Sequence, residues 1–326
     1  MRTAPRVVPV DLVWLNGRPV VMLRDVPRAA SYEPFWNAHS LTRAQGRPQL
    51  VPLDHAPDLP GHDQLAGFLF HMMRCGSTLA CHLLGAIPGA AALSEPMMFQ
   101  SLLSGPGTPA ERRAWLRRLL ALFVAGICDD DERLVIKWSS LMTCHIRELA
   151  AAFPGVPAVF IHRDPTEVLV SCVEGPPGHA RLLERGAFAP HLRPDPDTNA
   201  SMPFAELMAR FLGSVCFHAA SADALRRLEY ASLPSAVWTQ LAGYFGLDVQ
   251  QGEVRARLQQ IARLDAKDTT RTKLFAADGE RKQHAATPVI RDLAQRFMHP
   301  EIDRLTARHA ALPSPGSQPD LAGPFA

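Results

Sequence analysis

The stretch Phe68-Leu69-Phe70-His71-Met72-Met73-Arg74-Cys75-Gly76-Ser77-Thr78-Leu79 constrains this chain more than any other. An apolar run breaks into a basic residue, a glycine and two hydroxyls before apolar residues resume. That order reads as a buried strand, a tight turn and the start of a helix. Gly76 lets the backbone turn sharply. The N–H groups of residues 75–78 and the Ser77 and Thr78 hydroxyls then converge where a helix dipole favours an anion. Arg74 adds a fixed charge at the same spot. A nucleoside-triphosphatase loop has the pattern Gly-x-x-x-x-Gly-Lys-[Ser/Thr], whereas Ser77 follows Gly76 here. The expected anion is therefore not Mg-ATP.

The remainder of the chain suits an α/β fold. Strand patterns at Leu134-Val135-Ile136-Lys137-Trp138 and Val156-Pro157-Ala158-Val159-Phe160-Ile161-His162 alternate with helical periodicity over 111–127 and Leu141–Phe153. Alternation of this kind implies a parallel sheet with helical crossovers. Further helices are expected at 204–215, 235–245, 253–263 and 288–297. A hairpin is expected at 10–24 around Asn16-Gly17, a loop at 46–64, and a long Pro- and Gly-rich loop or lid at 174–203.

With 326 residues, 47% of them hydrophobic, the chain has ample material for a core. Its 34 basic and 32 acidic residues give a net charge of +2 and no global field for nucleic acid or a membrane surface. No apolar run approaches the roughly 20 residues of a membrane span, and the charged N-terminus does not resemble a signal peptide. The six cysteines contain no Cys-x-x-Cys pair and read as free thiols in a reducing cytoplasm. No histidine or cysteine group has metal-ligand spacing, so no metal is expected. His71, His145 and His162 read as packed or solvent-bridged side chains.

The third strand ends in Arg163-Asp164-Pro165-Thr166-Glu167-Val168-Leu169-Val170-Ser171. Asp164 is a good N-cap and Pro165 a good first helical residue. Arg163 is thereby left at the carboxyl end of a parallel strand, where open α/β sheets bind ligands. A guanidinium there, with the Ser171 hydroxyl further along the helix, can hold a phosphate.

Together, Arg74-Cys75-Gly76-Ser77-Thr78 and Arg163-Asp164-Pro165…Ser171 resemble the two nucleotide motifs of the sulfotransferases that use 3′-phosphoadenosine 5′-phosphosulfate (PAPS). The first is similar to their 5′-phosphosulfate loop, Pro-[Lys/Arg]-x-Gly-[Thr/Ser]-Thr, with Met73 in place of the proline. The second is similar to their 3′-phosphate motif. Leu228-Glu229-Tyr230-Ala231-Ser232-Leu233 resembles the family's Tyr-Glu-Asp-Leu segment, with Ala231 and Ser232 replacing Glu-Asp. The resemblance implies a P-loop-like three-layer α/β fold with a central parallel sheet flanked by helices and a helical C-terminal half. The resemblance extends to about residue 245; a sulfotransferase domain is expected at 61–312, between an N-terminal hairpin extension with linker (1–60) and a disordered tail (313–326).

The roles it implies are specific. Arg74 would contact the sulfuryl-bridging oxygens, and Cys75, Gly76, Ser77 and Thr78 would hold the 5′-phosphate. Arg163 and Ser171 would hold the 3′-phosphate, Tyr230 would touch the adenine side, and Lys137 would lie near the transferring group. Cytosolic aryl and steroid members carry a histidine two residues after that lysine, but Lys137-Trp138-Ser139 has none. Carbohydrate, tyrosyl-protein and several bacterial members use a glutamate past the loop, which Leu93-Ser94-Glu95-Pro96 supplies, so Glu95 is the candidate base. Gly279-Glu280-Arg281-Lys282 is a basic segment that either closes over the 3′-phosphate or is a solvated charge run. The implied reaction passes a sulfuryl group from PAPS to a hydroxyl of a glycan, glycolipid or hydroxylated small natural product, leaving 3′-phosphoadenosine 5′-phosphate. Two alternatives stay open: a P-loop nucleotide or small-molecule kinase, and a catalytically silent nucleotide-binding module of the same fold.

Overall fold

The computed structural model describes residues 6–27, 36, 42–58, 64–178, 183, 202–268 and 272–312. The expected tail at 313–326 and most of the expected loop at 174–203 lie outside these.

Five parallel strands form the central sheet: β4 (Leu65–His71), β5 (Ala90–Ser94), β6 (Arg133–Lys137), β7 (Ala158–His162) and β8 (Arg226–Glu229). Their order is β5-β6-β4-β7-β8, which puts β4 in the middle. Every residue of β4 is buried, as a central parallel strand requires. Leu69 pairs with Lys137 of β6, and His71 pairs with Ile161 of β7. Ser94 pairs with Lys137, and His162 with Glu229. All five strands therefore end along one edge. The residues that follow those ends are Glu95, Trp138, the Met72–Gly76 loop, Arg163 and Tyr230.

Helices flank the sheet: α1 (Ser77–Leu84), α2 (Met98–Ser104), α3 (Pro109–Ile127), α4 (Ile146–Ala152), α5 (Pro165–Glu174) and α6 (Phe204–Ala220). The C-terminal part adds α7 (Gly252–Ile261), α8 (Gly279–Ala285), α9 (Pro288–Phe297) and α10 (His299–Arg308). α3 begins with a capping box at Thr108 and Glu111, with Pro109 in its first turn. The helix expected over Leu141–Phe153 starts instead as a 3₁₀ turn at Ser140–His145.

An aromatic group anchors the β6 end. Trp138 is fully buried, with ring centroids 5.3 Å from Phe68 and 5.0 Å from Phe99, and it stacks at 6.5 Å on Phe70. Such a residue contributes on the order of 3–5 kcal/mol relative to alanine.

The N-terminal strands β1 (Arg6–Leu15) and β2 (Arg18–Val26) form the expected hairpin, with Asn16 and Gly17 both at positive φ, 50° and 74°. A third strand, β3 (Gln45–Pro52), pairs with β2 inside the segment expected to be a loop. It is mostly exposed and carries Gly, Pro and Gln, so it shows no strand pattern. The sheet packs on α3 and α2 through Trp14, whose ring meets Trp115 edge-on at 5.8 Å and donates to Ser101 Oγ at 3.3 Å. All six cysteines are free thiols. No described helix is long and apolar enough to cross a membrane.

Candidate active site

The turn from β4 into α1 is strained. Met73 and Arg74 adopt φ of 72° and 48°, and Gly76 follows at 80°. Left-handed backbone costs about 1–2 kcal/mol for each L-residue, so contacts must hold the loop in place. The Met73 N–H donates to His71 Nδ1 at 3.0 Å, and the Cys75 thiol donates to Ile161 O at 3.2 Å. The Arg74 guanidinium donates to Gly175 O, at the end of α5, at 2.5 Å. Proline, locked near a φ of about −65°, cannot take the Met73 conformation. Gly76 is required twice, by its φ and because a Cβ there would lie 2.8 Å from Leu233 and 2.9 Å from Tyr230. It caps α1 without a side-chain hydrogen bond, so the first-turn N–H groups depend on some other acceptor.

Cys75 offers only its backbone, because burial raises its thiol to about 11 and keeps it protonated. Ser77 and Thr78 lie buried in the first turn.

Beside the loop stands the Glu95–Lys137 ion pair. Lys137 is buried, its Nζ contacts a Glu95 carboxylate oxygen, and Ser94 Oγ lies 3.4 Å away. Glu95 itself sits at a φ of 53°, and its N–H donates to Lys137 O at 2.7 Å. The same oxygen, Oε1, is 3.5 Å from His71 Nε2. Burial alone would raise the Glu95 carboxyl. The Lys137 charge and the His71 contact outweigh burial and hold the carboxyl down at about 2.

At the β7 end, Arg163 is buried and fully engaged. Its Nε donates to Glu167 at 2.6 Å and its Nη2 to Asp278 at 2.8 Å, and its guanidinium lies 4.1 Å from the Tyr230 ring centroid. Asp278 also binds Lys282 Nζ at 2.7 Å. Two cations and two carboxylates thus form a neutral cluster. Burial opposes the Arg163 charge, but Asp278 and Glu167 more than compensate and raise its proton affinity. Asp164 caps α5, accepting the Glu167 N–H at 3.0 Å. Ser171 lies one turn before Gly175, whose carbonyl takes Arg74, so it stands at the Arg74 end of α5 and not at Arg163's.

The structure therefore brings Arg74, the loop and Gly76 together with Tyr230, and Tyr230 together with Arg163. Glu95 and Lys137 form a pair at the neighbouring strand ends. Lys267 is a cation that carries no sequence signal. Desolvation lowers its amine to about 8, and the Arg74 and Lys137 charges add to the shift. Asp278 and His71 also carried no signal, since a lone carboxylate before a helix and a histidine in a strand are unremarkable in sequence. Among the described residues, no group of three or more His, Cys, Asp or Glu side chains is placed to hold a metal ion.

No protein-family model and no curated protein matches the chain. Among solved structures it is similar to the sulfotransferase domain from the curacin biosynthetic pathway, at 14% identity and a TM-score of 0.43, covering 79% of this chain and 100% of that one. It is similar to a sulfotransferase from Alicyclobacillus acidocaldarius at 15% identity and a TM-score of 0.43, covering 76% and 97%. The sulfotransferase domain of the Synechococcus PCC 7002 olefin synthase matches at 18% identity and a TM-score of 0.40, covering 79% and 99%. Likeness of this degree carries no argument about what the chain does. The functional reading rests on its own residues.

Proposed function

We propose that this chain transfers a sulfuryl group from PAPS to an acceptor hydroxyl. The observation that carries the reading is the convergence, at the carboxyl ends of parallel strands, of a strained anion loop, a cation held against a carboxylate, and a second arginine under a tyrosine ring. The 5′ side fits the donor. α1 presents first-turn N–H groups without a side-chain cap, and Arg74, Lys137 and Lys267 supply positive charge around them. The 3′ side fits with one adjustment, since Arg163 and Lys282 are the right groups for a phosphate but both are engaged by Asp278.

The donor supplies an activated sulfuryl group. When the acceptor oxygen bonds to sulfur, the bond from sulfur to the 5′-phosphate oxygen breaks. Loose in-line transfers of this kind depend chiefly on positioning and charge neutralisation. Arg74 and Lys137 neutralise the sulfuryl and leaving-group oxygens, and the α1 N–H groups hold the 5′-phosphate. Glu95 takes the proton that the acceptor hydroxyl releases. A carboxylate held near 2 by Lys137 is a poor base, but it strengthens as the ammonium turns toward the leaving oxygen. The acceptor class is a glycan, a glycolipid or a hydroxylated small natural product; the 7% aromatic content disfavours a flat aryl pocket.

The kinase alternative and the silent-module alternative are separated from this reading by melting experiments with 3′-phosphoadenosine 5′-phosphate, ADP and ATP. A ligand bound only by the native state raises stability by RT ln(1 + [L]/Kd). The bisphosphorylated nucleotide is expected to stabilise most. Equal shifts from it and from ADP would remove Arg163 from the 3′-phosphate role. Transfer of label from PAPS to an acceptor then distinguishes an enzyme from a binding module.

A further inference from the structure

His71 is buried between the two strained segments of the site, and nothing in the transfer mechanism above uses it. Its Nδ1 accepts the Met73 N–H at 3.0 Å, which requires that nitrogen to be unprotonated. The ring's proton must then sit on Nε2. That nitrogen is buried without a hydrogen-bond partner and lies 3.5 Å from Glu95 Oε1, with no hydrogen bond formed. The groups facing the imidazole are Glu95 from the end of β5, Lys137 from the end of β6, and the main chain of Trp138. Burial, the largest influence, favours the neutral ring, and the nearby Lys137 charge acts in the same direction.

One imidazole thus touches the anion loop with one nitrogen and faces the candidate base with the other. Glu95 has two side-chain neighbours able to donate, Lys137 in contact and His71 just out of reach. If Lys137 turns to an arriving anion, the carboxylate loses its contact partner inside a site from which water is largely excluded. A buried carboxylate without a donor is costly, so the second donor takes over.

We infer that His71 is a positioning residue that couples the loop to the base: its Nδ1 holds Met73 in the left-handed conformation, and its Nε2–H closes on Glu95 when Lys137 moves to the bound anion. This rests on the reading of the site given under Proposed function. The coupling makes base alignment depend on an occupied and correctly formed loop. Acceptor deprotonation is then favoured only with the donor in place.

The experiment combines long-range proton–nitrogen NMR of the imidazole with three substitutions, using 3′-phosphoadenosine 5′-phosphate as the probe. In the free protein the expected species is the neutral Nε2–H tautomer at pH 7. On adding the probe, the Nε2–H resonance moves downfield, and that movement is absent in Glu95→Ala. His71→Asn places an amide oxygen where Nδ1 accepts and retains probe affinity within about threefold of wild type. His71→Ala leaves the Met73 N–H unmet and loses at least about tenfold. His71→Gln reaches the Nε2 position instead, and loses affinity as alanine does. An Nδ1–H tautomer, an imidazolium at pH 7, or equal affinities of the asparagine and alanine variants would overturn the assignment. Failure of the wild type to bind the probe overturns the nucleotide reading instead, and the tautomer of the free protein still decides the role of Nδ1.

Discussion

Two strand-to-helix turns carry the site, and they solve the problem of a helix N-terminus in opposite ways. The β4–α1 turn begins its helix at Gly76, with no side chain capping it and with two L-residues at positive φ just before. The β7–α5 turn begins its helix at Asp164, whose carboxylate takes the Glu167 N–H, and its arginine is already bound to two carboxylates. The first has no side-chain cap and stores strain. The second is satisfied within the chain. An anion arriving at β4–α1 replaces solvent, whereas one arriving at β7–α5 must displace part of the protein. The two regions should therefore answer differently to the same perturbations.

The largest expected difference lies in turnover. Glu95→Gln removes the base and should lower turnover with PAPS and an identified acceptor by about 10²–10⁴-fold. It leaves the buried Lys137 without its counter-charge, so melting temperature should fall as well. Saturating 3′-phosphoadenosine 5′-phosphate should recover part of that loss by giving the ammonium an anion. Undiminished turnover would remove Glu95 as the base.

Arg163→Ala tests the other turn. Affinity for the bisphosphorylated nucleotide should weaken by roughly 2–5 kcal/mol, while ADP affinity changes little. Calorimetric titration with both nucleotides measures the contrast, and a parallel loss would place the effect on the fold instead of the 3′ corner.

The regions also separate by pH. His162, at the end of β7, is held neutral by burial, with the Arg227 charge adding to the effect, and its pKa falls from 6.5 to about 4. Below pH 6.5 the unfolded chain takes up a proton that the native state refuses, so stability falls between pH 6.5 and 4. Glu95 is depressed from 4.5 to about 2, so the stability from its ionised form is complete above pH 4.5 and is lost as pH falls toward 2. Each group contributes at most about 3.4 kcal/mol, at roughly 1.4 kcal/mol per pH unit. Denaturant unfolding across this range should show His162→Gln flattening the upper limb and leaving the lower one. His71, whose pKa burial also lowers, adds to the upper limb and should keep it from vanishing. A variant with an unaltered upper limb would mean that His162 charges without cost.

The strands at the centre were legible because a buried parallel strand writes itself as an apolar run, as at Phe68–Phe70, Leu134–Ile136 and Val159–Ile161. The strand β5 was not, since Ala90-Ala91-Ala92-Leu93-Ser94 is dominated by a residue depleted from strands, and only burial in the sheet makes it one. β8 is too short and polar to show a period. For the site, motif spacing pointed to the loop and Arg163, and the family resemblance to Tyr230; the Tyr230 ring lies against Gly76 on one side and Arg163 on the other. Sequence could not show which charges cancel. The engagement of Arg163 by Asp278 joins residues far apart in the chain. Nor could it show the positive φ at Met73, because methionine carries no turn signal.

Asp278 is the residue on which the comparison turns. It binds Arg163 at 2.8 Å and Lys282 at 2.7 Å, holding both cations as a phosphate would. Burial raises its carboxyl, but Lys282 and Arg163 bring it down overall, so it is ionised at neutral pH and repels an incoming dianion. Asp278→Asn removes that charge and keeps one oxygen, which can accept from Arg163 as Oδ1 does, while the amide nitrogen replaces the Oδ2 that binds Lys282. Affinity for 3′-phosphoadenosine 5′-phosphate should rise about tenfold, equivalent to about 1.4 kcal/mol, while ADP affinity stays where it was. Glu167 remains to hold Arg163, which keeps the corner folded. If the substitution instead weakens the bisphosphorylated nucleotide and ADP alike, Asp278 is a strut for α8 and not a surrogate for the ligand.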